Sequence, residues 1–316
     1  MAGSLVQQSS TADFGSPVAV DHRDLIQLAA AARGLDLHRF RRGATGGDHV
    51  ARLLGRGMEF DEARPYQPGD DPRDIDWRVT ARTGRPYTKV FREERERPVL
   101  FVLDLRQSMH FATRGVYKAV LAARIAAILA WAAERCGDRV GGFLFAEDYH
   151  REIAPRVGRR GVLALIHEIC SAPVWLRKTP AVGDPDSAAR RALNGVRKVG
   201  RSGSLIFVLS DGHHVDDRAL TTLKDFGRAT DVVFVHLYDR IERSLPPPGR
   251  YLWKIGHREP QSFVSGRESS DDHRTRFETH AARLRKAMTG GRLRYFAIAT
   301  DDDPVDRLTD LFVARS

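Results

Sequence analysis

Two aspartates stand out by where they fall in the chain. Asp104 follows the unbroken apolar run Val99-Leu100-Phe101-Val102-Leu103, and Asp211 follows Leu205-Ile206-Phe207-Val208-Leu209 and Ser210. A carboxylate that ends a buried strand is costly to desolvate alone, so it binds a cation, caps a helix or pairs with an arginine. Ser108 and Ser210 supply hydroxyls nearby, and His213 and His214 follow Asp211 directly. Hard oxygen ligands suit Mg²⁺, and a Mg-dependent hydrolase using Asp104 and Asp211 is one reading. Arg106 argues against it, because a guanidinium stays charged and has no lone pair for a metal. It can instead sit between Asp104 and Asp211 in place of the cation. The two histidines could touch a metal or a partner, although adjacent loop histidines are commonly just solvated. The sequence has no Walker-type phosphate loop, no Gly-x-Ser-x-Gly elbow and no His-Glu-x-x-His.

The elements that must position these residues alternate. Apolar strands are predicted at 99–103, 204–209, 231–238 and 293–299, with a further strand at 139–146 that pairs with 152–157. Helices are predicted at 117–135, 161–170, 186–199, 217–229, 275–288 and 304–312. The rhythm predicts an α/β fold with a doubly wound, mostly parallel sheet and helices on both faces. Ligands of such sheets bind beyond the carboxyl ends of the strands, near the switch point. Residues 98–316 form this domain, broken at 246–272 by an irregular excursion with one or two short strands. Residues 1–20, rich in Ser, Gly and Ala, read as a disordered leader. Residues 21–97 read as a short helix capped by Asp21 and ended near Gly34, then a β-rich charged segment punctuated by Pro65, Pro68-Gly69 and Pro72.

Composition narrows the function classes. Lys and Arg number 51 against 41 Asp and Glu, a net charge of +10, but both signs are mixed along the chain. No nucleic-acid recognition signature accompanies the charge, so no nucleic-acid role is expected. Cys136 and Cys170 are far apart and lack histidines at metal-ligand spacing, which reads as free thiols in a reducing compartment. No run approaches a membrane span, and the N-terminus lacks the order of a signal peptide. The expected location is cytoplasmic.

The strand ends resemble the von Willebrand factor A domain, whose Asp-x-Ser-x-Ser motif, distant threonine and second Asp hold a divalent ion. Asp104, Ser108 and Asp211 match that pattern, while Arg106 stands where the first Ser belongs. Thr179 is the only threonine between Val174 and Ala188, and Gly183 to Ser187 lie nearer the expected place. The resemblance with these departures implies a degenerate metal-ion-dependent adhesion site and no cofactor.

A second resemblance is carried by Gly55-Arg56-Gly57-Met58-Glu59-Phe60, by Arg64 through Trp77, and by Ala81-Arg82-Thr83-Gly84. Arg64, Tyr66, Gly69, Asp70, Asp71, Arg73, Asp76, Trp77 and Arg82 look like the signature of the domain-of-unknown-function 58 family. That resemblance implies a non-enzymatic, cytoplasmic interaction module that works with a MoxR-type AAA+ ATPase on a client protein complex. Arg106, Ser210 and His213 would then meet the partner, with Arg106 bridging directly to a partner carboxylate. The signature segment alternates acids and arginines around Tyr66 and Trp77. It either packs internally or presents a partner surface, since arginine and aromatic residues favour interface cores.

Overall fold

The structure, a computed structural model, describes residues 15–37, 58–93, 96–177, 182–200, 202–213, 215–253, 261–265 and 267–313. In chain order these form α1 (His22–Gln27), β1 (Met58–Pro65), α2 (Trp77–Thr83), β2 (Tyr87–Glu93) and β3 (Pro98–Asp104). Next come α3 (Lys118–Arg135), β4 (Arg139–Phe145), β5 (His150–Val157), α4 (Arg159–Cys170) and α5 (Pro185–Val199). β6 (Leu205–Ser210), α6 (Asp217–Phe226), β7 (Asp231–Tyr238) and α7 (Arg240–Arg243) follow. The chain continues through β8 (Gly249–Trp253), β9 (Gln261–Ser265), α8 (Arg267–Ala287), β10 (Leu293–Ala299) and α9 (Pro304–Val313). Residues 45–96 group as one unit, and the rest of the chain groups as the other.

The larger unit is mixed α/β with a six-stranded sheet in the order β10-β7-β6-β3-β4-β5. All neighbours run parallel except β5, which is antiparallel to β4 at one edge. The first strand of this sheet in the chain, β3, lies between the second, β4, and the fourth, β6. The winding direction reverses there, so the crevice of the sheet opens between the carboxyl ends of β3 and β6.

Alternation along β3 divides the core into two layers. Val99, Phe101 and Leu103 join one cluster with α3 and α4, while Leu100 and Val102 join the other with α5, α6 and α8. Phe101 and Phe207, paired across β3 and β6, stack with centroids 5.6 Å apart. Each fully buried side chain of this size contributes roughly 1.5–3 kcal/mol. Every residue of α3 from Lys118 to Ala133 is buried, Lys118 and Arg124 included, as expected of a predominantly apolar helix covered on all sides.

The structure differs from the sequence expectations at several elements. α1 stops at Gln27, and Ala31–Gly34 is a separate 3₁₀ turn. α1 belongs with the sheet unit and not with the charged segment, because Leu25 and Leu28 are core residues and Trp131 Nε1 donates to Leu25 O at 3.3 Å. The expected leader falls partly on residues 1–14, outside those described. In its remainder Gly15 to Val18 are exposed, but Tyr117 N donates to Pro17 O at 2.9 Å, and Val20 lies against the core. α8 begins at Arg267, two turns before the predicted helix, where Arg267 to Arg274 is polar throughout and offers no apolar period to read. The excursion keeps its two short strands, β8 and β9, as an antiparallel hairpin.

The smaller unit is built on the antiparallel pair β1 and β2, with a register shift between Phe60 and Glu62. The connection holds α2, a helix the sequence reading did not contain. Asp76 caps it by accepting from Arg78 N at 3.0 Å and Val79 N at 3.2 Å. Gly84 ends it in the left-handed conformation at φ +69°.

Candidate functional site at the switch point

Asp104 ends β3 and is fully buried. Arg106, two residues on, turns back onto it. Arg106 Nε donates to Asp104 Oδ1 at 2.8 Å, and Nη2 donates to Oδ2. Ser210 Oγ, from the end of β6, donates to the same Oδ2 at 2.6 Å. The remaining Arg106 donors go to backbone carbonyls, Nη1 to Pro185 O at 3.1 Å and Nη2 to His213 O at 2.9 Å. The guanidinium thus ties β3 to the start of α5 and to the loop after β6. Arg106 is 1% exposed, which corrects the expectation that it bridges to a partner carboxylate. Its guanidinium makes four hydrogen bonds, all to Asp104 and to the two backbone carbonyls. Ser210 is likewise buried, with Oγ also accepting from Gly212 N at 3.0 Å, so it too is out of a partner's reach.

Asp211 has a different cation. Lys118, the first residue of α3, places Nζ 3.0 Å from Asp211 Oδ2 and 2.6 Å from Glu242 Oε1. Glu242 Oε2 accepts from Asp239 N at 2.7 Å, closing a capping box at the start of α7. Asp239, at the end of β7, accepts from Thr113 N, Thr113 Oγ1 and Thr300 Oγ1 at 2.7, 2.5 and 2.7 Å. One polar network therefore crosses the carboxyl ends of β6, β7 and β10, beside the Asp104 pair on β3.

Burial alone would push the Asp211 carboxyl up, but Lys118, His213 and Arg106 outweigh it and hold it at about 2. Desolvation likewise works against the charged forms of Lys118 and Arg106. Asp211 and Glu242 raise the first above its ordinary value, and Asp104 raises the second. Asp211, Lys118 and Arg106 are thereby held in their charged states at neutral pH.

A divalent ion does not fit these residues. Both oxygens of Asp104 are taken by Arg106, and Asp211 gives Oδ2 to Lys118 and Oδ1 to His213 N at 3.0 Å. Each of the two carboxylates already has a cation of the chain beside it, and Mg²⁺ wants an octahedron of oxygens. Ser108 Oγ is buried without a hydrogen-bond partner, so one hydroxyl of the expected set does lie idle. Among the described residues no group of three or more His, Cys, Asp or Glu is disposed to hold a metal. Thr179 and His214 lie outside the described residues.

What the rim presents to solvent is a different set. His213 is exposed and stacks on His280 of α8 with centroids 4.7 Å apart and planes 5° apart. His280 Nε2 donates to Asp211 O at 2.9 Å. Behind them His236 is buried, shares a 2.6 Å hydrogen bond with Tyr295 OH, and is pushed down to about 3 by burial and by His280. On the other flank, Gln107 N donates to Glu147 Oε1 at 2.9 Å, Arg177 pairs with Asp148 at 2.5 Å, and the adjacent Leu176 is 86% exposed.

The sequence reading gave no site role to Lys118, nor to Asp239 and Glu242, which entered it only as part of the family resemblance. Asp239 obeys the rule that singled out the other two aspartates, an acid ending an apolar strand. Lys118 carried a subtler signal. A cation in the first turn of a helix opposes the helix dipole, so it calls for acidic partners.

The signature residues lie in the smaller unit. Asp70 accepts from Arg64 at 2.7 Å, from Gln67 N at 2.9 Å and from Thr88 Oγ1 at 3.4 Å. The Arg64 hydrogen bond first of all holds its carboxyl below the usual range. Gly69 turns the chain at φ +107°, Tyr66 OH donates to Asp70 O at 3.4 Å, and Asp71 caps the turn at Pro72–Asp74. Trp77, Arg73 and Arg82 are exposed.

Comparison with known proteins agrees with the second resemblance. The sequence model of the family described as Protein of unknown function DUF58 matches residues 62–287. The uncharacterized proteins Mb1516 of Mycobacterium bovis and Rv1480 of Mycobacterium tuberculosis are each 32% identical over 187 residues, covering 58% of this chain and 57% of theirs. The chain thus spans little more than half the length of the curated relatives it matches. Among solved structures, BatB from Bacteroides thetaiotaomicron is similar at 14% identity and a TM-score of 0.39, over 69% of this chain and 98% of that one. An aerotolerance-related membrane protein from Bacteroides fragilis is similar at 16% identity and a TM-score of 0.40, over 68% and 98%. An uncharacterized membrane spanning protein from Vibrio fischeri follows at 17% identity and a TM-score of 0.23, over 68% and 96%. Two of these three are described as membrane proteins, and the cytoplasmic location expected from the sequence is withdrawn on that finding. Among the described residues no helix is long and apolar enough to cross a membrane. With a family match over well more than half its length, this chain belongs to the DUF58 family.

Proposed function

We propose that this chain is a non-enzymatic interaction module of von Willebrand factor A type, an adaptor between a MoxR-type AAA+ ATPase and a client complex. One observation carries the reading. The two acids at the switch point are each neutralised by a cation of the chain itself, Asp104 by Arg106 and Asp211 by Lys118. The doubly wound strand order, with both acids on adjacent strand ends, supports it further. In a metal-holding relative of this type the ion completes its coordination with a partner's carboxylate. Here the ion's place is filled, so the rim is permanently formed and recognition falls to the groups above it, His213, Gln107 and Leu176. A Mg-dependent hydrolase finds less support, because none of the oxygens of Asp104 and Asp211 is without a hydrogen bond or ion pair.

The test is co-elution of the purified full chain with a MoxR-type ATPase from the same organism, with and without EDTA. The expected result is a complex that survives EDTA and is lost in Leu176→Asp and His213→Asp, with a parent-like melting curve of Leu176→Asp, at the 86% exposed position, separating lost binding from lost fold. No complex, or a complex that both variants leave intact, would overturn the reading.

A further inference from the structure

The signature residues of the smaller unit divide by what their side chains and backbone do. Arg64, Tyr66, Gly69, Asp70, Asp71 and Asp76 build it, through the ion pair, turn and caps already described. Arg73, Trp77 and Arg82 do not. Trp77 is 69% exposed, and Arg73, Arg78, Arg82 and Arg85 are exposed around it without a side-chain hydrogen bond or ion pair among the described residues. Of the four aspartates between Arg64 and Lys89, Asp74 alone has an uncommitted side chain. Four free guanidiniums thus face one free carboxylate.

A helix left to water would not be written this way. Arg78 and Arg82 stand one turn apart on α2, a like-charged pairing that opposes helix formation unless an anion lies between. An indole held largely in water is also unfavourable, and tryptophan with arginine is the pairing that dominates protein interface hot spots.

We infer that the outer face of α2, with Arg73 and Arg85 beside it, docks an acidic segment of a partner protein. The indole of Trp77 covers an apolar side chain of that segment, and the guanidiniums pair with its carboxylates, Arg offering a two-pronged match to each. A nucleic acid fits less well, because Asp71 and Asp74 interrupt the positive surface where a continuous phosphate backbone would run. This surface does not rest on the strand-end reading, and either stands without the other.

The experiment is fluorescence anisotropy of a labelled peptide of alternating Glu and Leu titrated with the full chain. A Lys-Leu peptide and an oligothymidylate serve as comparisons. The expected result is saturable binding of the Glu-Leu peptide alone, weakened about tenfold or more by Trp77→Ala and by the pair Arg78→Gln with Arg82→Gln. Trp77→Phe retains most of it. Arg228→Gln, at an 84% exposed side chain of the larger unit, leaves it unchanged. Should Trp77→Ala fail to fold, the arginine pair carries the same test. Absence of saturable binding, tighter binding of the oligothymidylate, or equal weakening by Arg228→Gln would each overturn the inference.

Discussion

Arg106 folds back onto Asp104, two residues earlier in the chain, and closes both oxygens of that carboxylate with its own guanidinium. Both groups are buried, so each depends on the other to offset desolvation. Removing one partner of such a pair leaves an uncompensated buried charge. Arg106→Met is therefore expected to destabilise the protein by about 3–5 kcal/mol in urea unfolding. The double variant Asp104→Leu with Arg106→Met removes both charges and is expected to recover more than half of that loss. A double variant as unstable as the sum of the singles would show that the two residues are not coupled.

Lys118 and Asp211 make a pH-dependent prediction. The folded-state pKa of Asp211, about 2, lies below its unfolded value of 3.8. Its contribution to stability is thus fully present above pH 3.8 and is lost as pH falls toward 2. Lys118→Met removes the main charge holding that pKa down. The variant is expected to be much less stable than the parent at neutral pH, with the gap narrowing below pH 3.8. Unfolding midpoints measured across that range check it, and a gap independent of pH would count against the ion pair.

His236 acts in a higher window. Burial pushes its pKa down to about 3, below the ordinary 6.5. The unfolded chain then takes up a proton that the folded chain refuses. Stability from this group is present above pH 6.5 and falls below it, by at most about 1.4 kcal/mol per pH unit. His236→Phe is expected to flatten the stability profile between pH 6 and pH 4, read by thermal melting in matched buffers. An unchanged slope would mean that His236 protonates freely in the folded state.

Gly115 is the tightest point of the rim. It lies at φ +72°, and a Cβ there would stand 2.1 Å from Thr300 O. Gly115→Ala is expected to cost at least about 1–2 kcal/mol from the left-handed backbone alone. The clash also displaces Thr113 or Thr300 from Asp239, so a lowered Tm is expected. A variant that melts with the parent would contradict the close approach.

The sheet was legible because its strands are unbroken apolar runs, and because β3 sends Val99, Phe101 and Leu103 one way and Leu100 and Val102 the other. The acids at the strand ends were legible for the same reason. Arg106 was readable as a substitute cation, but not its burial, because that depends on Pro185 O and His213 O arriving from distant segments. Lys118 sits at the head of an alanine-rich helix, and nothing local says that α3 begins at the crest of the sheet. α2 was hidden among arginines and a tryptophan with no apolar period, and it is held by Asp76 and Gly84 instead of by a buried face.

In the proposed reading the chain's own cations, Arg106 and Lys118, stand in for a divalent ion at the switch point. Calorimetric titration of Mg²⁺ into the chelator-treated full chain puts this to the test. The expected result is no saturable heat and an unshifted Tm. A single saturable Mg²⁺ site that Asp211→Asn abolishes would contradict it.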